Sequence, residues 1–272
     1  MNELARRLGV TEELAFYDVY SLYDADVMAM VPRPVFALLV TIPMTDAWRE
    51  DRETEDGSKE WYKGAGPGEP VVWFRQTVIH GCGLIGLLHC VVNGLPSKMI
   101  VPGSKLANFL ETAVPLGMDE SAKLLGDNES LHEASEAVAF KGDTRALSPD
   151  EESIHHFVAL AKGVDGNLWE LEVSMKGPLN RGPLGDDDAF SEKALELGIR
   201  RLIDLQRKAV ANLPFFLHCP RPKLRIVDKT RRAPPKGAVH TFQLKTNNQS
   251  INQYSYSGAP LRRAEPLQSK YR

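Results

Sequence analysis

The stretch Gln76-Thr77-Val78-Ile79-His80-Gly81-Cys82-Gly83-Leu84-Ile85-Gly86-Leu87-Leu88-His89 decides how this chain is read. Val71–Val78 is made of β-type residues and runs into Gly81-Cys82-Gly83. Beyond that turn Leu84, Ile85, Leu87, Leu88, Val91 and Val92 leave no polar face, the pattern of a buried helix. Cys82 therefore stands at a helix N-terminus, where the partial positive charge favours a nucleophilic thiolate. Backbone N–H groups of that first turn can hold a developing oxyanion, and Gln76, six residues upstream, can bring its side-chain amide as a second donor. A Gly-Cys-Gly turn is equally what a small buried cysteine looks like, so the chemistry needs a base. Gly81 to Gly86 also fits G-x-G-x-x-G, but the acidic residue expected about 20 positions on, at the end of a second strand, would fall inside an expected helix. His80, Cys82, His89 and Cys90 lack metal-ligand spacing. No metal or cofactor is expected.

A base and its partner come from one hairpin. His156–Ala161 and Leu168–Glu172 alternate as strands around an Asp165-Gly166 turn. His156 begins the first strand and Glu172 ends the second, so folding sets an imidazole beside a carboxylate. Register is the weak point, because a one-residue slip turns the carboxylate to the other face. Glu170 shares the face of Glu172 and is the second candidate, and His156 alone could as well be a structural histidine. Among the other histidines, His80 flanks the cysteine turn, His89 lies inside the helix and His155 has the weaker context.

Outward from these motifs, Arg6 starts a helical segment that gives way to strand-like Phe16–Tyr20. Val35–Ile42 is a continuous apolar run typical of a buried strand. Asp46–Pro70 is polar and rich in Glu, Gly and Pro, which predicts a surface loop. Ser104 caps a helix ending before Pro115, and a second helix spans Asp119 to Leu125. Phe140–Ser153 has no periodicity and reads as a long loop. Ser191–Val210 is a helix with Leu195, Ile199, Leu202 and Ile203 on one face, and Leu213–Cys219 is the expected last strand.

The chain has 272 residues and a formal charge of −3, but from Arg221 to Arg272 twelve Lys/Arg face two Asp/Glu, a net of +10. The body before it carries −13. The expected organisation is a domain over 1–219 and a basic, disordered tail over 220–272. Its short, separated Arg pairs do not predict a nucleic-acid arm. No apolar stretch reaches the roughly 18 residues of a membrane span. Three cysteines without CxxC spacing predict a reduced setting, cytosol or nucleus.

Taken together these segments resemble the ubiquitin carboxyl-terminal hydrolase family of papain-like cysteine proteases. The resemblance rests on Phe16–Tyr20 with Met30-Val31-Pro32-Arg33-Pro34-Val35, on Gln76-Thr77 followed by Cys82–His89 with the same six-residue step, and on His156–Leu160 with Asp165–Leu171. Gly177-Pro178 and Arg181-Gly182 continue it. It implies a papain-like α/β fold, a mainly antiparallel sheet with helices on both faces and a knotted backbone, a rarity among folds. It implies that Cys82 attacks the carbonyl at the C-terminal glycine of ubiquitin, that Gln76 and the Cys82 N–H hold the oxyanion, and that His156, oriented by Glu172, moves the proton. Phe140–Ser153 would be the loop that crosses the active site and restricts leaving groups to small adducts and short extensions. The partner it implies is ubiquitin, for which an acidic body is suited, and a monomer is expected. Departures are Glu172 where the family usually has Asp, Val173 in place of the following Gly, His80-Gly81 in place of Asn-Ala, a one-residue insertion at Lys162-Gly163, Pro214 in the expected last strand, and about ten fewer residues before the first helix. They leave a second expectation, a ubiquitin-binding protein of the same fold with weak or no hydrolysis.

Overall fold

The computed structural model describes residues 1–139, 155–211 and the backbone of 224–228. In chain order the elements are α1 (Asn2–Leu8), β1 (Ala15–Val19), α2 (Ala25–Ala29), β2 (Val35–Pro43), α3 (Asp46–Gly57), α4 (Cys82–Asn93), α5 (Lys105–Ala113), α6 (Met118–Gly126), α7 (Glu129–Ala139), β3 (His155–Lys162), β4 (Asn167–Leu171), β5 (Leu179–Pro183), α8 (Glu192–Leu195), α9 (Arg201–Ala211) and β6 (Leu224–Asp228). A π-helical turn, Glu196–Arg200, joins α8 to α9. The strands form one sheet in the order β1-β6-β2-β3-β4-β5, every neighbouring pair antiparallel.

The unbroken apolar run of β2 follows from its place in that sheet. Ala37 and Leu39 face a core shared with Leu84, Leu87 and Leu88 of α4, with α1 and with α5. Leu38, Val40 and Ile42 face a second core with Trp48 of α3, Ala194 and Leu195 of α8, and Ile199. A strand covered on both faces has no polar side, so its sequence shows no alternation. The expected α/β architecture with helices on both faces of an antiparallel sheet is what the chain adopts. The crossing loop expected at Phe140–Ser153 lies outside the described residues, and so does the part of the backbone path on which a knot would depend.

Two expectations are corrected, and the sheet takes in a further strand. Asp46–Pro70 begins with a 12-residue helix, α3, capped by the Thr45 hydroxyl, which accepts from the Trp48 N–H at 3.3 Å. Only Trp48 and Arg52 of α3 are buried, so a sequence almost wholly charged hides a helix whose apolar stripe is one residue wide. Val71–Val78 is not a strand. Its backbone is held by side chains of α4: Asn93 bonds both the N–H and the carbonyl of Val72, and the Phe74 N–H donates to His89 Nε2 at 2.9 Å. β-type residues here fill a core without joining the ladder. The sheet also extends past residue 219, because its inserted strand is Leu224–Asp228, between β1 and β2. Leu213–Cys219, the expected last strand, lies outside the described residues, as does most of the tail expected over 220–272. The helix α7 carried no expectation at all.

Candidate active site

The turn before α4 is tight. The Gly81 N–H donates to the Val78 carbonyl at 3.1 Å, and Gln76 Nε2 donates to the same carbonyl at 2.9 Å. His80 sits inside this turn at φ 60°, a left-handed conformation that non-glycine residues adopt at a cost and that clusters at reacting sites. A Cβ on Gly81 would lie 3.1 Å from the Val78 carbonyl oxygen, so the residue before the cysteine is small for a steric reason. Cys82 emerges as the first residue of α4, half-buried, with its backbone at the positive end of a 12-residue helix. Gln76 is fixed to the opposite wall, since its N–H donates to the Val173 carbonyl at 3.0 Å.

His156 and Glu172 meet as expected, but not as ladder partners. In the β3–β4 register Ala159 opposes Leu171 and Leu160 opposes Glu170, and β4 ends at Leu171. The same register carried one residue further would put Glu172 opposite Val158, two residues from His156. The carboxylate spans that diagonal: Glu172 Oε1 is hydrogen bonded to His156 Nε2. The extra methylene of Glu over Asp matches a partner set off to one side. Ser174 locks the carboxylate from behind, its N–H donating to Oε1 at 3.0 Å and its hydroxyl to Oε2 at 2.6 Å. Trp73 Nε1 fixes the Glu172 backbone carbonyl at 3.1 Å. With Nε2 taken, Nδ1 of His156 is left for the Cys82 thiol, to which the imidazole is hydrogen bonded.

The electrostatics follow from this line of three groups. Burial alone would raise the Cys82 pKa, but the hydrogen bond and charge of His156, with the Phe157 N–H, bring it below the ordinary thiol value. Burial alone would lower the His156 pKa, and the Glu172 carboxylate and the Cys82 sulfur reverse that, raising it to about 10. Glu172, buried, is nevertheless held down to about 2 by His156 and Ser174. Both shifts run toward a thiolate and an imidazolium, the reactive form of a cysteine nucleophile.

Glu170, the other candidate carboxylate, is engaged elsewhere. It is buried with Arg52 of α3 and with Arg181 of β5, whose Nε donates to Oε2 at 2.8 Å. Its charge is taken up by arginines, and it makes no direct hydrogen bond to His156. His89 is also accounted for. Its Nε2 accepts from Phe74 and its Nδ1 faces the Leu171 carbonyl at 3.2 Å, so the ring is a neutral strut between α4, residue 74 and β4. Ser174 and Trp73 gave no signal in the sequence, because their roles exist only once the chain returns to residue 172. Among the described residues no cluster of three His, Cys, Asp or Glu side chains could hold a metal ion.

The model of a family described as ubiquitin carboxyl-terminal hydrolase, family 1, matches residues 1–204. Ubiquitin carboxyl-terminal hydrolase isozyme L1 of Monodelphis domestica is 34% identical over 194 residues, covering 71% of this chain and 83% of the relative. The Homo sapiens isozyme L1 is 32% identical over the same coverage. Among solved structures, the Trichinella spiralis UCH37 catalytic domain bound to ubiquitin vinyl methyl ester superposes with a TM-score of 0.61 at 16% identity, covering 85% of this chain and 91% of that one. That likeness speaks for the fold. The family match, which takes in α4, the hairpin and Glu172 together, makes the assignment: the chain belongs to ubiquitin carboxyl-terminal hydrolase family 1.

Proposed function

We propose that this protein is a thiol-dependent hydrolase that cleaves small adducts and short extensions from the C-terminal glycine of ubiquitin. The observation that carries the reading is the hydrogen-bonded line Glu172–His156–Cys82 at the N-terminus of α4 in a family 1 chain. The thiolate of Cys82 attacks the scissile carbonyl. The oxyanion is held by the Cys82 N–H and by Gln76, whose Nε2 carries a second N–H besides the one given to Val78. His156 then donates its Nδ1 proton to the leaving amine, and as a neutral base activates the water that hydrolyses the thioester. Glu172 stabilises the imidazolium and fixes which nitrogen faces the sulfur.

Ubiquitin as partner is supported by the relatives' names and by the UCH37 complex with ubiquitin vinyl methyl ester. The restriction to small leaving groups rests on the loop expected at residues 140–153. Work in a reducing compartment, cytosol or nucleus, is part of the reading, because Cys82 must remain a free thiol. The protein acts as a monomer, apart from membrane and nucleic acid. The alternative, a ubiquitin binder of the same fold with weak or no hydrolysis, is motivated by the altered carboxylate, N-terminal segment and last strand; Glu172 bonded to His156 answers the first of these grounds, and the assay decides between the two readings. Ubiquitin carrying a fluorogenic C-terminal amide tests the function, with Cys82→Ala as control. Turnover well above the control is expected; tight binding with no turnover would overturn the enzyme reading.

A further inference from the structure

We propose that Trp48 is a positioning residue for His156, and that the buried Arg52–Glu170 pair holds Trp48 in place. Trp48 is on α3, outside the motifs that carry the chemistry, and its ring lies 5.6 Å from the His156 ring, centroid to centroid, tilted by 47°. It is 5% exposed, so the imidazole meets the indole in place of water on that side. Ring edges of His156 are taken by Glu172 and Cys82, which leaves a face for packing. An aromatic ring against an imidazolium is attractive through its quadrupole, and more so where water is excluded.

The support beneath Trp48 is equally specific. One turn along α3, the Arg52 guanidinium carbon lies 5.9 Å from the Trp48 ring centroid. Arg52 is buried and bonded to Asp51 at 2.5 Å, to Glu55 at 3.2 Å and to Glu170. Arg181 and Arg201 close the cluster around Glu55, Asp51 and Glu170. The two acidic residues of one chain segment thus reach the same histidine by different routes: Glu172 by direct hydrogen bond, Glu170 through Arg52 and Trp48. The raised His156 pKa is consistent with a surrounding that favours its charged form. Asp56, at the far end of α3, is a further carboxyl that feels the Glu172 charge, and it is tied to the Lys176 N–H at 2.9 Å.

This inference rests on Cys82 and His156 being the reacting pair, and its main readout needs no ubiquitin. The rate of Cys82 alkylation by iodoacetamide is followed against pH, with Cys82 identified by peptide mapping, in wild type, Trp48→Leu, Trp48→Phe and Arg52→Met. Trp48→Leu is expected to move the midpoint of the profile up by about half to one pH unit. With the ubiquitin amide it lowers kcat about tenfold and leaves KM within about twofold. Trp48→Phe, which keeps a ring, restores most of both, and Arg52→Met moves the midpoint the same way by a smaller amount. A wild-type profile and kcat in Trp48→Leu would overturn the proposal, as would a Phe variant no better than Leu. Where Trp48→Leu does not fold, Arg52→Met decides, and an unmoved midpoint there overturns it. Normal alkylation profiles with no ubiquitin hydrolysis in the wild type would instead strike the substrate assignment.

Discussion

Each half of α4 sets a cysteine beside a histidine, His156 of β3 at its start and its own His89 further on, with opposite chemistry. At its start Cys82 is half-buried beside a charged His156 and its thiol is pushed down; two turns later Cys90 is wholly buried beside His89 and is pushed far up. Both histidines are buried, yet His156 is raised to about 10 and His89 lowered to about 4. Desolvation acts in the same sense on each member of a pair. What differs is the partner: Glu172 at His156, against a backbone N–H and a carbonyl at His89. A buried carboxylate within hydrogen-bond reach outweighs burial, and neutral backbone groups do not. Reactivity in this fold is therefore decided by where one acidic side chain lands.

The largest effect that would sharpen this contrast is at the cysteines. Cys82→Ala is expected to lower turnover of the ubiquitin amide by about 10⁴-fold or more. Cys90→Ala leaves kcat within about twofold and costs about 1–2 kcal/mol of stability, measured by denaturant unfolding. Comparable losses of turnover at both positions would break the comparison.

Next come the two acids. Glu172→Gln is expected to reduce kcat by about 10²–10⁴-fold with ubiquitin affinity retained, because the amide can neither balance the imidazolium nor hold its tautomer. Glu170→Gln leaves kcat of the folded protein within about fivefold, and leaving Arg52 and Arg181 short of a buried partner costs about 3 kcal/mol of stability. Calorimetry and steady-state kinetics on both variants separate these roles; a reversed outcome would mean that the carboxylates had been assigned the wrong way round.

The last test, which leaves turnover aside, is in the pH dependence of stability. His89 stays neutral in the fold with its pKa lowered from 6.5 to about 4, so the unfolded chain takes up its proton first as pH falls. Its contribution is complete above pH 6.5 and is lost between there and pH 4, about 3 kcal/mol at most. His156 has the opposite sign: raised to about 10, its contribution is complete below pH 6.5 and fades as pH rises through 10. Unfolding midpoints between pH 4 and 8 test the first, and a His89→Gln variant should flatten the acid limb of that curve.

What the sequence by itself determined is the set of features whose cause is local. A helix with no polar face after Gly81-Cys82-Gly83, a Ser104 cap whose hydroxyl accepts from Ala107 at 3.2 Å, and a hairpin closing at Gly163–Gly166 are all written in short-range pattern. The hairpin also brings His156 near the end of its second strand, but leaves Glu170 and Glu172 both open as its partner. Tertiary structure decided the rest. Val71–Val78 has the composition of a strand, but Asn93 and His89 take its backbone bonds. The charged sequence of α3 becomes a helix because Arg52 finds Glu170 from 118 residues away, and strand β6 enters the sheet beyond the point where the composition turns basic. Glu170 and Glu172 are alike in type, burial and spacing, and only long-range partners tell them apart: arginines drawn from α3 and β5 for one, a histidine from β3 for the other. A charge's role is set by what desolvates and neutralises it, and those groups are brought together only by the fold.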